Sequence, residues 1–171
     1  MTWKGQAILV TALFLVIAPG SVAGLVPWWI SRWRFDPPFL GLEFLRAFGG
    51  LVIDAGAMVL LDSFARFALQ GLGTPAPVFP TQNLVVSGLY RYVRNPMYVA
   101  VVSTILGQAL LLGNAVLLGY AVCVWLLMHL FVLLYEEPKL RRTFGSEYDR
   151  YRGAVPRWIP RPRPWSESPH P

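Results

Sequence analysis

Between Arg94 and Glu136 the chain runs 41 residues without an Asp, Glu, Lys or Arg. A membrane crossing takes about 20 apolar residues at about 1.5 Å rise per residue, so one continuous helix over this stretch would be roughly twice as long as the bilayer core is thick. The stretch must therefore fold back on itself. Gly113-Asn114 lies near its middle and supplies turn chemistry, glycine by tolerating positive φ and asparagine by capping backbone with its amide. The spacing predicts a helical hairpin, Pro96 to Leu112 and Ala115 to Tyr135. Composition agrees, because 55% of the 171 residues are apolar and 14% charged, where a soluble domain carries about 25% charged residues.

Two earlier apolar stretches complete the pattern. The first runs from Gly5 to Ser31, interrupted by Pro19-Gly20 and Pro27, and Trp28, Trp29 and Trp33 at its C-terminal end look like an interfacial aromatic belt. A cleaved signal peptide is the competing reading, since Lys4, an apolar stretch and Ser21-Val22-Ala23 imitate its three parts. The second runs from Leu42 to Leu69 and holds Asp54 and Asp62. The expected fold class is all-α, an integral membrane bundle of about four transmembrane helices with a C-terminal helical hairpin and cytoplasmic amphipathic helices. The expected division is a two-helix region over 1–70, a catalytic region over 71–165 and a tail over 166–171.

Charge sets the expected orientation. Eight of the 15 Lys and Arg residues come after the last span, and positive residues near span ends favour the cytoplasm. Four crossings then put both termini and the segment bearing Arg91 and Arg94 in the cytoplasm, across an inner or plasma membrane. The net charge of +6 is read as a membrane-surface signal toward anionic lipid, and no nucleic-acid motif is present. Cys123 is alone and the histidines number two, His129 and His170. Neither a disulfide framework nor a metal centre is expected. No G-x-G-x-x-G or phosphate-binding loop follows a strand pattern.

Polar residues concentrate in two segments. Pro75, Pro77 and Pro80 stiffen a loop that continues through Gln82, Asn83, Leu84, Val85, Gly88, Tyr90 and Arg94-Asn95-Pro96-Met97-Tyr98. After the last span come Glu136-Glu137-Pro138, Leu140, Phe144-Gly145, Tyr148, Tyr151 and Val155-Pro156. Leu140, Phe144, Tyr148 and Tyr151 recur at helical spacing, which predicts an amphipathic helix resting on the bilayer or the core. Gly145 is expected to break it, and Ser146 with Asp149 to cap a second short helix. Inside the second span, Asp62 has Arg66 at i+4 as an intrahelical partner. Asp54 has no such neighbour and is a candidate for binding a cationic headgroup or amine, because ionisable residues within spans usually face a partner or a watery cavity.

The ordered set from Leu84-Val85 to Val155-Pro156 and Pro160 closely resembles the isoprenylcysteine carboxyl methyltransferase and phospholipid methyltransferase superfamily, over roughly Pro80 to Pro160. The resemblance implies an S-adenosylmethionine-dependent integral membrane methyltransferase whose donor lies in a pocket under the cytoplasmic loop and C-terminal helices. Its cofactor contacts fall on Gln82, Asn83, Leu84, Val85, Tyr90, Asn95, Pro96, Met97, Tyr98 and Glu136. Glu136 suits ribose hydroxyls or the donor's ammonium, and Tyr90 or Tyr98 suits the sulfonium. Arg94 and His129 are the candidate catalytic residues, each with a structural alternative: Arg94 as a positive-inside anchor, His129 as a satisfied polar residue between helices. The implied acceptor is a lipid-like or hydrophobic small molecule taken from the bilayer, a carboxylate or an amine, and membrane lipids are expected partners. Asn95 stands where many members carry His, and Val132 where the prenylcysteine enzymes carry Arg. Two other readings compete, an NADPH-dependent membrane reductase of the steroid or sterol type and a non-catalytic membrane scaffold.

Overall fold

A computed structural model describes residues 13–70 and 84–166. The loop prolines Pro75, Pro77 and Pro80 and the predicted contacts Gln82 and Asn83 lie outside the described residues. The described residues are all helical or irregular, with no strand. In chain order the helices are α1 (Leu13–Ser31), α2 (Phe44–Gln70), α3 (Pro96–Leu112), α4 (Ala115–Phe131), α5 (Glu137–Phe144) and α6 (Ser146–Ala154). A widened turn, Val132–Glu136, joins α4 to α5 in one rod of 30 residues, Ala115–Phe144. Three rods are long and apolar enough to cross a membrane: Leu13–Ser31, Phe44–Arg66 and Ala115–Phe144. Of the four expected spans the remaining one, α3, has 17 residues and reaches about 25 Å at 1.5 Å per residue.

The hairpin forms where its local chemistry dictates. Pro96 occupies the first turn of α3, a position whose N–H would have no helical partner in any case. Gly113 ends the helix at φ 70°, and a side chain there would also strike the carbonyl of Pro37. Asn114 then caps α4, its Oδ1 accepting from the Leu117 N–H at 3.2 Å. The Arg32–Glu43 loop closes over this end. The Asp36 N–H donates to Leu112 O at 2.8 Å, and Arg46 donates to Asp36 O and Leu111 O at 2.8 and 3.3 Å.

Helices α2 and α3 pack antiparallel with their backbones in near contact. A Cβ on Gly49 would lie 2.6 Å from Gly107 O, one on Gly107 2.8 Å from Gly49 O, and one on Gly56 2.5 Å from the Thr104 hydroxyl. In lipid, where helices gain little by hiding apolar surface from one another, such close approach lets dispersion hold the pair. Val101 and Ile105 of α3 meet Ala121 and Val124 of α4 in the buried core, with Val22 and Ala23 of α1 against them.

Two prolines reshape the long rods. Pro27 in α1 and Pro138 in α5 each lie two residues beyond a turn of π-helix, Ser21–Leu25 and Val132–Glu136. A proline inside a helix lacks the N–H for the carbonyl four residues back and crowds that carbonyl with its ring. Here the helix widens rather than breaking, so that the Val26 N–H bonds to Ser21 O and the Glu137 N–H to Val132 O. In α1 the opened carbonyls are used by other helices: Ala23 O accepts from the Gln108 amide at 2.7 Å and Val22 O from the Tyr120 hydroxyl at 2.9 Å.

Past α5, which ends the last rod, α6 turns back on the bundle. Gly145 separates them at φ 53°, as its position predicts. It also takes the N-cap position of α6 without a side-chain cap, so Ser146 is the first helical residue and not the cap expected from its sequence. The apolar stripe packs on protein: Tyr148, Tyr151 and Val155 are buried against Leu84, Val86, Leu140 and Phe144.

Candidate active site

The site lies at the end of the bundle where α3 begins and the Ala115–Phe144 rod bends. Two glutamates leave that rod side by side, and successive helical positions differ by about 100° of rotation, so they face different neighbours. The hydroxyl of Tyr98, in the first turn of α3, donates to Glu136 Oε2 at 3.0 Å. Glu137 turns to two arginines. Arg157 grips it bidentately, Nε to Oε1 at 2.6 Å and Nη2 to Oε2 at 3.0 Å, while Arg94 Nη1 meets Oε1 at 2.9 Å. The Glu137 side chain is 9% exposed and that of Arg94 10%.

This buried triad holds three parts of the chain together. Arg94 comes from the loop before α3, Glu137 from α5, and Arg157 from an extended segment after α6. The segment is also laced to the loop through backbone: Arg94 N–H to Pro156 O, Arg161 N–H to Tyr92 O and Trp165 N–H to Arg91 O, at 2.9, 3.0 and 2.9 Å. The Asn95 amide donates to Arg157 O at 3.1 Å, and Arg94 Nη1 also donates to the Tyr148 hydroxyl at 3.2 Å. The C-terminal segment is thus a strap across the loop that carries the predicted donor contacts.

Tyr90, on the short 3-10 turn Gly88–Arg91, is buried. Burial pushes its phenol well above the ordinary value, and the nearby Glu136 carboxylate adds to the rise. It therefore remains a neutral hydroxyl at physiological pH. Its carbonyl accepts from the Tyr151 hydroxyl at 2.6 Å, and burial likewise raises the Tyr151 phenol.

Of the predicted contacts, Tyr98 and Glu136 are bonded to each other and Tyr90 stands within the field of both. Asn95 and Pro96 are buried at the start of α3, with Met97 half-buried beside them. Leu84 packs into the Tyr148–Tyr151–Val155 cluster, and Val85 is half-buried next to it. Arg94 belongs to the Glu137 triad. His129 sits on α4 among aromatic rings. Its Nδ1 accepts from the Trp158 indole at 2.9 Å, and it stacks on Trp125 at 5.2 Å between centroids. With Nδ1 taken as an acceptor, the neutral ring carries its proton on Nε2. Asp54 lies on an exposed face of α2 and has no ion pair among the described residues. Asp62 does pair with Arg66, as its spacing predicts, at 2.8 Å. Val132, at the prenylcysteine-arginine position, is buried at the first position of the widened turn.

Arg157 and Trp158 were not singled out by sequence reasoning. Their one local signal is the pair of prolines, Pro156 and Pro160, that hold this segment out of a helix and against the loop. Among the described residues no cluster of His, Cys, Asp and Glu could hold a metal ion.

The sequence profile of the phospholipid methyltransferase family matches residues 44–147, from the first turn of α2 into α6. This reaches back beyond the Pro80–Pro160 stretch marked by the motifs and takes in the second span. The chain belongs to the phospholipid methyltransferase family, which makes it a membrane methyltransferase. No curated protein matches it.

Proposed function

We propose that this protein transfers a methyl group from S-adenosylmethionine to a lipid-like acceptor that reaches the site from the bilayer, with the site on the cytoplasmic side. The observation that carries the reading is the Tyr98–Glu136 pair beside buried Tyr90 at the basic end of the bundle. The residues fit the donor. A half-buried carboxylate suits hydroxyl or ammonium hydrogens, and neutral phenol rings present their faces to a sulfonium.

When bound, the donor supplies a methyl group already activated by positive sulfur. The protein's part is therefore alignment and exclusion of water. Tyr98 fixes the rotamer of Glu136 by donating to one carboxylate oxygen, which leaves the other to receive a hydrogen bond. The Arg94–Glu137–Arg157 triad fixes the strap against the loop and keeps the site closed to solvent. Glu136, Tyr98 and Tyr90 would hold the donor, whose sulfonium would release the methyl group to an acceptor lone pair as the carbon–sulfur bond breaks. A carboxylate acceptor needs no base, whereas an ammonium headgroup must first release a proton.

Calorimetric titration of the detergent-solubilised protein tests this. The wild type binds S-adenosylmethionine and not NADPH. Glu136→Gln weakens the donor by about tenfold to a hundredfold, the value of a charge-assisted hydrogen bond, and Tyr98→Phe by less. Binding of NADPH alone, or donor affinity indifferent to Glu136→Gln, contradicts the proposal.

A further inference from the structure

Helix α2 has two unlike sides. On one, Gly49 and Gly56 are buried and press their backbone on α3, the only helix among the described residues that α2 packs along. On the other, Ala47, Leu51, Asp54, Met58, Leu61 and Ala65 are all exposed. Their spacing alternates four and three residues, which is that of the contact line between two coiled helices. At about 100° of rotation per residue, Asp54 stands about 140° round the helix from Gly49.

Asp54 is the polar member of this outer line, and its depth makes it costly. It is the eleventh of the 23 residues in the Phe44–Arg66 span, so about 15 Å of helix separates it from either end. Its short side chain cannot reach water over that distance, as Lys and Arg can by snorkelling. The chain has no cation to offer at this level: no Lys or Arg lies between Lys4 and Arg32, between Arg46 and Arg66 or between Arg94 and Lys139. His129 is engaged by Trp158 on another helix, and Asp54 has no polar partner among the described residues. Phe14, near the start of the described part of α1, stacks on Phe64 at 6.2 Å, about 15 Å along α2 from Asp54. The group that satisfies the carboxyl therefore comes from a second molecule.

A second copy supplies that group by symmetry. Two copies inserted in the same sense are related by a two-fold axis along the membrane normal, which sets each residue of a shared face level with its own counterpart. A carboxyl group can donate as well as accept, so two of them at one depth satisfy each other. A cationic partner would instead bury its own charge at the midplane, a second cost of the same kind. Ala47 and Ala65 let the two helices approach closely toward the ends of the line.

We propose that this protein forms a two-fold dimer through the outer face of α2, with the Asp54 carboxyls of the two copies hydrogen-bonded to each other at the middle of the bilayer. The dimer does not depend on the methyl-donor reading, and its failure would leave that reading untouched.

Fluorescence transfer between full chains labelled at Cys123, the single cysteine and an exposed one, in phosphatidylcholine vesicles tests the proposal. Transfer in the wild type falls along a monomer–dimer curve as lipid is added. Asp54→Leu weakens the dimer about threefold to thirtyfold, the range of a polar contact between helices in a membrane. This variant takes a polar group out of hydrocarbon and removes no contact within the chain, so the loss is not one of folding. Asp54→Asn keeps the dimer, because an amide also donates and accepts. In a Cys123→Ser background, oxidation joins Leu51→Cys or Met58→Cys chains, one turn to either side of Asp54, and leaves Leu127→Cys on the exposed face of α4 unjoined. The proposal is overturned if the wild type is monomeric at every dilution, if Asp54→Leu associates like wild type, if Asp54→Asn loses the dimer as Asp54→Leu does, or if cross-linking at position 127 is as fast as at position 58.

Discussion

The two widened turns in the long rods are built alike and used differently. In α1 the turn before Pro27 opens carbonyls that Gln108 and Tyr120 fill from α3 and α4, so the disturbance becomes a polar crosslink inside the bundle. In the α4–α5 rod the turn before Pro138 instead rotates the C-terminal end of the rod, so that Glu136 meets Tyr98 and Glu137 meets Arg94 and Arg157. One proline holds helices together; the other aims side chains. The comparison teaches that a widened turn can serve a membrane protein in two ways, by offering freed carbonyls to neighbouring helices or by re-aiming the side chains beyond it, and π turns are frequent at functional sites.

The comparison makes the largest effect fall on Glu137. Glu137→Ala leaves Arg94 and Arg157 without their shared carboxylate in a closed site, and removing one partner of a buried pair destabilises by about 3–5 kcal/mol. Thermal unfolding in detergent shows this as a large drop in midpoint; a midpoint within a degree of wild type breaks the account of the triad. Pro138→Ala comes next. It restores the N–H that the widened turn does without, so the rod reverts toward regular α-helix and misdirects Glu136, weakening donor affinity about tenfold. Pro27→Ala, its counterpart, leaves donor affinity unchanged; equal losses in the two variants would erase the distinction between the turns.

Smaller effects belong to the crosslink. Gln108→Leu deprives Ala23 O of its partner and lowers stability by about 1–2 kcal/mol, and Tyr120→Phe by about 0.6–1 kcal/mol, in keeping with polar contacts between helices in membranes. Both are read by thermal unfolding, and neither changes donor affinity.

Legibility from sequence tracks the range of each interaction. The hairpin was legible because its determinants are local: Pro96 opens α3, and Gly113 and Asn114 make the turn whichever helices surround it. The Asp62–Arg66 pair was legible for the same reason, lying one helical turn apart. The Glu137–Arg157 grip spans 20 residues and a reversal of chain direction, so only the fold brings it about. Pro27 announced an interruption and Pro138 suited a helix start, but a proline in a helix can kink, end or widen it, and packing decides which. Gly145 displaced Ser146 as the cap because its positive φ already sets the entry into α6. In the site, Tyr98 and Glu136 came from family resemblance and are brought together here. Arg94 was marked by the same motif, and its place in a buried triad depends on Arg157, whose own sequence offered little signal.

The central claim is that the methyl donor binds where Tyr98 meets Glu136. Ultraviolet cross-linking of radiolabelled S-adenosylmethionine to the protein in lipid nanodiscs, mapped by peptide mass spectrometry, tests it most directly. The account predicts label within residues 84–98 or 132–140, abolished by excess unlabelled donor and reduced about tenfold or more in Glu136→Gln. Label confined to the Arg32–Glu43 loop at the other end of the bundle, or label undiminished in Glu136→Gln, would contradict it.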